Sequence, residues 1–166
     1  MQLTHYNTNF KRRKFPITLV CDHVTNAPNI GSLFRIADAF GIKKLILCGS
    51  DITLGRKMAK TARSTEKVVE YNICESALET IKTLKTSGHQ IISLEITSTS
   101  KPLHTFMFST KKPIVIVIGD ESFGVSDAIL KESNHVIHID MYGHNSSMNV
   151  VQAANITLYE AIKQLL

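Results

Sequence analysis

The 166-residue chain has no tryptophan, and its three cysteines, Cys21, Cys48 and Cys74, stand far apart without a CxxC pair. A disulfide framework or a cysteine-ligated zinc site needs more cysteines at closer spacing. Cys21 and Cys48 fall in β-rich runs, so the expectation is buried free thiols in a reducing cytoplasm. No apolar run approaches the roughly 20 residues needed to cross a bilayer. Met1 to Lys14 is polar, ends in Lys11-Arg12-Arg13-Lys14, and lacks the apolar segment of a secretory leader. The histidines, His23, His104, His135, His138 and His144 among them, show neither HExxH nor regular ligand spacing, so no metal is expected. Gly119 to Gly124 lacks both the Gly-Lys-Ser/Thr ending of a Walker loop and the GxGxxG of a dinucleotide turn.

The residues present describe one domain, 1–166, with 1–14 as a basic polar tail. Hydrophobic content of 43% is ample for a single core. A formal charge of +5 permits an anionic partner such as nucleic acid without requiring one. Strand-like and helix-like periods alternate. Ile17 to Cys21, Leu45 to Cys48, Lys67 to Tyr71, Ile91 to Ile96, Ile114 to Ile118 and Val136 to Ile139 read as strands, the third of them weakly. Ile30 to Phe40, Ala77 to Leu84 and Val151 to Leu165 carry apolar residues at helical spacing. Thr97 to Pro102 reads as a loop. The pattern is that of an α/β protein with a mostly parallel sheet and helices on both faces.

Polar or glycine residues cluster where these runs stop, and in α/β proteins the loops leaving strand carboxyl ends bind ligands. Asn29 opens the first helix as an N-cap candidate, followed by Gly31 and Arg35. On periodicity alone these are either a simple cap and a snorkelling arginine, or an amide and a guanidinium beside an anion-attracting helix terminus. Gly119-Asp120-Glu121-Ser122-Phe123-Gly124 leaves a buried strand, with Asp120 or Ser122 as capping candidates and Glu121 placed to accept hydrogen bonds or fix an arginine. Ile139 to Asn149 leads into the last helix, with Ser147 as its N-cap candidate and Asn149 as a polar residue facing a cleft.

In this order the segments resemble the motifs of the SpoU-type (TrmH-like) RNA 2′-O-ribose methyltransferases of the SPOUT superfamily. Asn29, Gly31 and Arg35 match the first motif. Gly119, Glu121 and Gly124 match the second, and Ile139, Met141, Gly143, Ser147, Asn149 and Val150 the third. Asp140 stands where the family has proline, which implies a looser loop, and Met148 where it has leucine. The resemblance runs from about Ile17 to the end. It implies a C-terminal trefoil knot that sequence topology rules would not suggest. It also implies S-adenosylmethionine bound by Leu94, Glu95, Gly119, Ile139, Met141, Gly143 and Met148, a catalytic group of Arg35, Asn29, Glu121, Ser147 and Asn149, and a homodimer. A homodimer also accords with the apolar positions Val150, Ile156 and Leu166, which exceed one core face.

By that resemblance the substrate is structured RNA. Transfer RNA is preferred, because no appended RNA-binding domain accompanies the motifs, and ribosomal RNA comes second. A catalytically silent RNA-binding knot protein is the rival in another class, opposed by the intact Asn29, Arg35, Glu121 and Asn149. The family assigns Arg35 the base role. A guanidinium is ordinarily too poor a proton acceptor for that, so stabilisation of a developing alkoxide is the second role.

Overall fold

All six residues of the strand at Ile114–Gly119 are buried, as expected for a strand covered on both faces. In the computed structural model, which describes residues 8–166, this strand (β6) lies at the centre of a seven-stranded sheet. The others are β1 (Phe15–Asp22), β2 (Ile42–Cys48), β3 (Tyr71–Cys74), β4 (Gln90–Leu94), β5 (Lys101–Pro102) and β7 (His135–His138). Their order is β3-β2-β1-β6-β4-β7-β5, and every neighbouring pair is parallel.

The helices are α1 (Ala27–Ala39), α2 (Arg56–Ala62), α3 (Ala77–Thr86), α4 (Asp127–Glu132) and α5 (Val150–Leu165). The two-residue alternation of β6 separates two cores. Ile114, Ile116 and Ile118 join Leu33 and Phe34 of α1, Met58 of α2 and Leu158 of α5. Val115 and Val117 join Ile81 of α3 and Ile129 of α4. Helices therefore cover both faces, and the expected mostly parallel sheet is parallel throughout.

Several local expectations change. The third strand is Tyr71–Cys74 rather than Lys67 to Tyr71, because Thr65–Lys67 forms a 3-10 turn. The Thr65 hydroxyl donates to the Ala62 carbonyl at 2.6 Å, and pairing with β2 begins only at Tyr71 opposite Leu45. Lys101–Pro102 pairs with β7 inside the expected loop. Helices α2 and α4 give little periodic signal, since α2 buries only Met58 and Ala62 and α4 only Ile129. Helix α1 starts ahead of Pro28, which its first turn tolerates, and is capped by Asn26 instead of Asn29. Helix α5 is capped by Asn149 instead of Ser147. Val150 is buried in the core, whereas Ile156 and Leu166 are exposed.

Residues 1–7 of the basic tail lie outside the described part. Lys11 to Lys14 are exposed, yet the Arg13 guanidinium lies 5.2 Å from the Phe15 ring centroid and Lys14 Nζ donates to the Ile42 carbonyl at 3.4 Å. No helix among the described residues is long and apolar enough to cross a membrane.

Candidate active site

The turn after β6 is built by its two glycines. A Cβ at Gly119 would overlap the Gly124 carbonyl group, and Gly124 has φ +67°, a left-handed conformation that favours glycine. Asp120 closes the turn from within: its Oδ1 accepts from Ser122 N at 2.7 Å and Phe123 N at 3.1 Å, while Gly124 N donates to its carbonyl at 2.8 Å. Asp120 thus serves the turn, and the next helix is preceded by Ser126. This folding presents Glu121 outward from the carboxyl end of the sheet.

Glu121 Oε1 there accepts from Asn29 Nδ2 at 2.9 Å and from Asn149 Nδ2 at 2.9 Å. Asn149 Nδ2 also reaches Asn29 Oδ1 at 3.2 Å. The caps explain how both amides are freed and aimed. Asn26 Oδ1 takes Asn29 N at 3.1 Å, leaving the Asn29 side chain available. Asn149 Oδ1 caps Val151 N at 2.9 Å, so its Nδ2 end must face Glu121. Glu121 Oε2 takes no hydrogen bond from a described residue and remains an open acceptor.

Beside this network lies a cavity of about 360 Å³. Of the expected cofactor residues, Leu94, Glu95, Gly119, Ile139, Met141 and Met148 line it, as do Glu121 and Ser147. Gly143 does not; it is exposed, with open space around it. Glu95 lines the wall with its carboxylate engaged: Oε1 accepts from Ile96 N and Oε2 from Val125 N, each at 2.9 Å, tying the exit of β4 to the turn after β6. Arg35 is exposed and belongs to neither the cavity nor the network. It lies about 9 Å along α1 from Asn29 and on another face, near the side that Gly31 turns to α2.

Sequence reasoning passed over Ile96, Ile118, Phe123, His138 and Ala153, which also line the cavity. Phe123 alone had a signal, a large aromatic in a polar turn, and it is 91% exposed. Asp140 does not leave its loop unsupported. Its carboxylate lies between His104 Nδ1 at 3.0 Å and His138 Nε2 at 3.3 Å, and Ser100 Oγ meets His138 Nδ1 at 2.9 Å.

Cysteine chemistry is unfavourable here. Burial pushes the Cys21 thiol well above its ordinary range, and burial foremost raises Cys48 to about 12. Neither is a thiolate near neutrality. Among the described residues, no three His, Cys, Asp or Glu side chains are grouped to hold a metal ion.

The family model described as "SpoU rRNA Methylase family" matches residues 16–159. The chain belongs to the SpoU family. The SpoU fold carries a trefoil knot, and it is shared with a solved Aquifex aeolicus TrmH/SpoU tRNA modifying enzyme at TM-score 0.82 and 28% identity. That match covers 92% of this SpoU chain and 77% of the other. A second SpoU structure, AviRb from Streptomyces viridochromogenes in complex with the cofactor AdoMet, matches at TM-score 0.78 and 25% identity, covering 90% of this chain and 60% of that one. In sequence, the chain is 27% identical to the Aquifex aeolicus tRNA (guanosine(18)-2′-O)-methyltransferase, over 93% of this chain and 72% of that protein. It is 28% identical to a 23S rRNA (guanosine-2′-O-)-methyltransferase of Ralstonia nicotianae, over 90% of this chain and 59% of that one. Three curated relatives, the Ralstonia protein among them, are considerably longer: the chain spans 60%, 38% and 59% of their lengths.

Proposed function

We propose that this protein methylates a ribose 2′-oxygen of structured RNA, with S-adenosylmethionine as the methyl donor and transfer RNA as the favoured substrate. The observation that carries this reading is the convergence of Asn29, Glu121 and Asn149, from three separate segments, beside the cavity at the carboxyl end of the sheet. Relatives are named for both tRNA and rRNA targets. Ribosomal RNA is the second reading.

The cavity suits the donor. Its volume falls in the range of small-molecule sites. Leu94, Ile118, Ile139 and Met148 offer an apolar wall, and the turns at Gly119 and Ile139 to Met148 offer backbone groups. Asp120 and Glu121 add negative charge at the rim, appropriate for a sulfonium. When bound, S-adenosylmethionine supplies an electrophilic methyl group. The protein's task is to position the weakly acidic 2′-hydroxyl and promote loss of its proton. Glu121, held by two amides through Oε1, presents Oε2 to the ribose. Asn29 and Asn149 fix that carboxylate, and Ser147 shapes the wall. Arg35, from the α2 side of α1, holds the neighbouring phosphate, from where its charge acts on the developing alkoxide at longer range.

The protein acts as a homodimer. Tyr142, Ile156 and Tyr159 are 90%, 42% and 62% exposed and border a second groove with Leu103 and Ile139. A second copy packing on this side of α5 would cover them; a monomer at micromolar concentration in light scattering would contradict it. Mass mapping of ribose methylation in RNA from cells with and without the protein tests the function. Loss of a 2′-O-methyl mark from tRNA is expected; loss from rRNA selects the second reading, and no change in either contradicts the assignment.

A further inference from the structure

We propose that the surface formed by Arg35 of α1 and by Arg56, Lys57, Lys60, Arg63 and Lys67 of α2 and the following turn binds the phosphate backbone of the RNA whose ribose enters the site. The inference rests on the RNA methyltransfer reading and assigns its substrate-binding face. All of these side chains are exposed. Among the described residues none of them makes an ion pair, whereas Lys44, Lys82, Lys85 and Lys163 are paired with Glu70, Glu79, Glu132 and Glu160. Within Arg56 to Lys67 the sole acidic residue is Glu66. Asp38 lies three residues beyond Arg35 on α1, and among the described residues no ion pair joins the two. The α3–α4 face is different: two of its lysines are paired with carboxylates there, Lys82 with Glu79 and Lys85 with Glu132. The α1–α2 face therefore carries six unpaired cations, more uncompensated positive charge than the α3–α4 face.

Its placement relative to the site is fixed by Gly31. A Cβ at Gly31 would come within 2.5 Å of the Met58 carbonyl oxygen and 2.7 Å of Thr61 Cβ, so α1 and α2 pack backbone to backbone. Gly31 is two residues beyond Asn29 in the same helix. The basic face thus begins about one helix diameter, roughly 10 Å, from the Asn29–Glu121–Asn149 network. Cations at that distance hold the phosphates flanking a target nucleotide, fixing register while the network handles the ribose. Arg35 carries this face onto α1, the helix that also bears Asn29.

The test compares the triple variant Arg56→Gln/Lys57→Gln/Lys60→Gln with a control of equal charge loss, Lys111→Gln/Lys112→Gln/Lys131→Gln. Lys111 and Lys112 precede β6 at the opposite end of the sheet, and Lys131 lies on α4. Binding of an unmodified tRNA transcript is measured by fluorescence anisotropy across salt concentrations, with phosphatidylserine vesicles as a second polyanion. Calorimetry with S-adenosylmethionine shows whether each variant retains its fold. The α2 variant is expected to lose on the order of tenfold or more in RNA affinity and to flatten the log–log salt slope by about two, with unchanged cofactor affinity. The control is expected to stay near wild type. Equal losses in both variants, or equal losses for RNA and vesicles, would mean general charge attraction and overturn the proposal. If the wild type binds cofactor and RNA while the α2 variant keeps its RNA affinity, this surface is overturned and methyltransfer stands. If the wild type binds neither, the functional reading falls and the surface with it.

Discussion

Glu121 and Asn149 are 28 residues apart in sequence and 2.9 Å apart in space, with the Asn149 amide donating to the Glu121 carboxylate. This bond joins the turn after β6 to the start of α5, and Asn29 adds α1 to the same oxygen. The network orients a carboxylate beside a cavity, while the amide that caps α5 sets its geometry. A capping residue thereby becomes part of the site.

Glu121→Ala should abolish most activity and change stability little. Of the two amides it leaves, Asn149 is exposed and Asn29 half-buried, and both can bond to water, so the loss of stability should stay below about 1 kcal/mol. Methyl transfer should fall by about 10²-fold or more, since a group that organises the transition state is gone. Urea titration and single-turnover assays separate the two effects. A large stability loss with retained turnover would make Glu121 a structural residue.

Arg35 can be tested without disturbing the cavity, because it lies outside it. Arg35→Ala should cut methylation by about 10²-fold or more and leave cofactor affinity close to wild type. Arg35→Lys keeps the charge and loses the planar fork. Rescue that grows with pH, as lysine loses its proton, supports a base role; rescue without that dependence supports electrostatic stabilisation. Full activity of Arg35→Ala removes the residue from the mechanism.

Gly119 and Gly143 should respond oppositely to alanine. A Cβ at Gly119 overlaps the Gly124 carbonyl group, whereas Gly143 has open space around it. Gly119→Ala should cost about 1–3 kcal/mol and weaken cofactor binding, because the turn must open. Gly143→Ala should be close to neutral. Calorimetry and urea unfolding check both, and normal cofactor affinity in Gly119→Ala would show that the turn does not shape the site.

How much of this was legible follows from burial. The strand at Ile114–Gly119 is apolar throughout, so its presence and the glycine-bounded turn after it could be read directly. Asn29, Glu121 and Asn149 stood out as polar residues at the ends of such runs. Their capping roles did not. Pro28 inside the first turn shifts the start of α1 toward Asn26, and Asn149 both caps a helix and meets Glu121. Helix α2 was hidden because Met58 and Ala62 are its only buried residues, too few for a period. Glu95 was expected at the cofactor, but only the fold could show that its carboxylate holds Ile96 and Val125 backbone amides. The consequence of Asp140 was equally hidden, because His104 reaches it from a distant segment.

His135 should make the fold acid-sensitive. Burial foremost, and then Lys101, hold its imidazole below the ordinary pKa. The unfolded chain therefore binds a proton that the folded chain resists as pH falls below about 6.5, and stability declines in that window. Compared with His135→Gln, the wild type should lose more of its urea midpoint between about pH 7 and pH 5. Parallel pH profiles would show that His135 does not contribute.

The most direct test of the central claim is transfer of labelled methyl from S-adenosylmethionine to a tRNA transcript by the purified protein in the presence of chelator, followed by digestion to nucleosides. The account predicts label in a 2′-O-methylated nucleoside with wild-type protein and almost none with Glu121→Ala. Label on a base, or no label in tRNA or rRNA despite measurable cofactor binding, would contradict it.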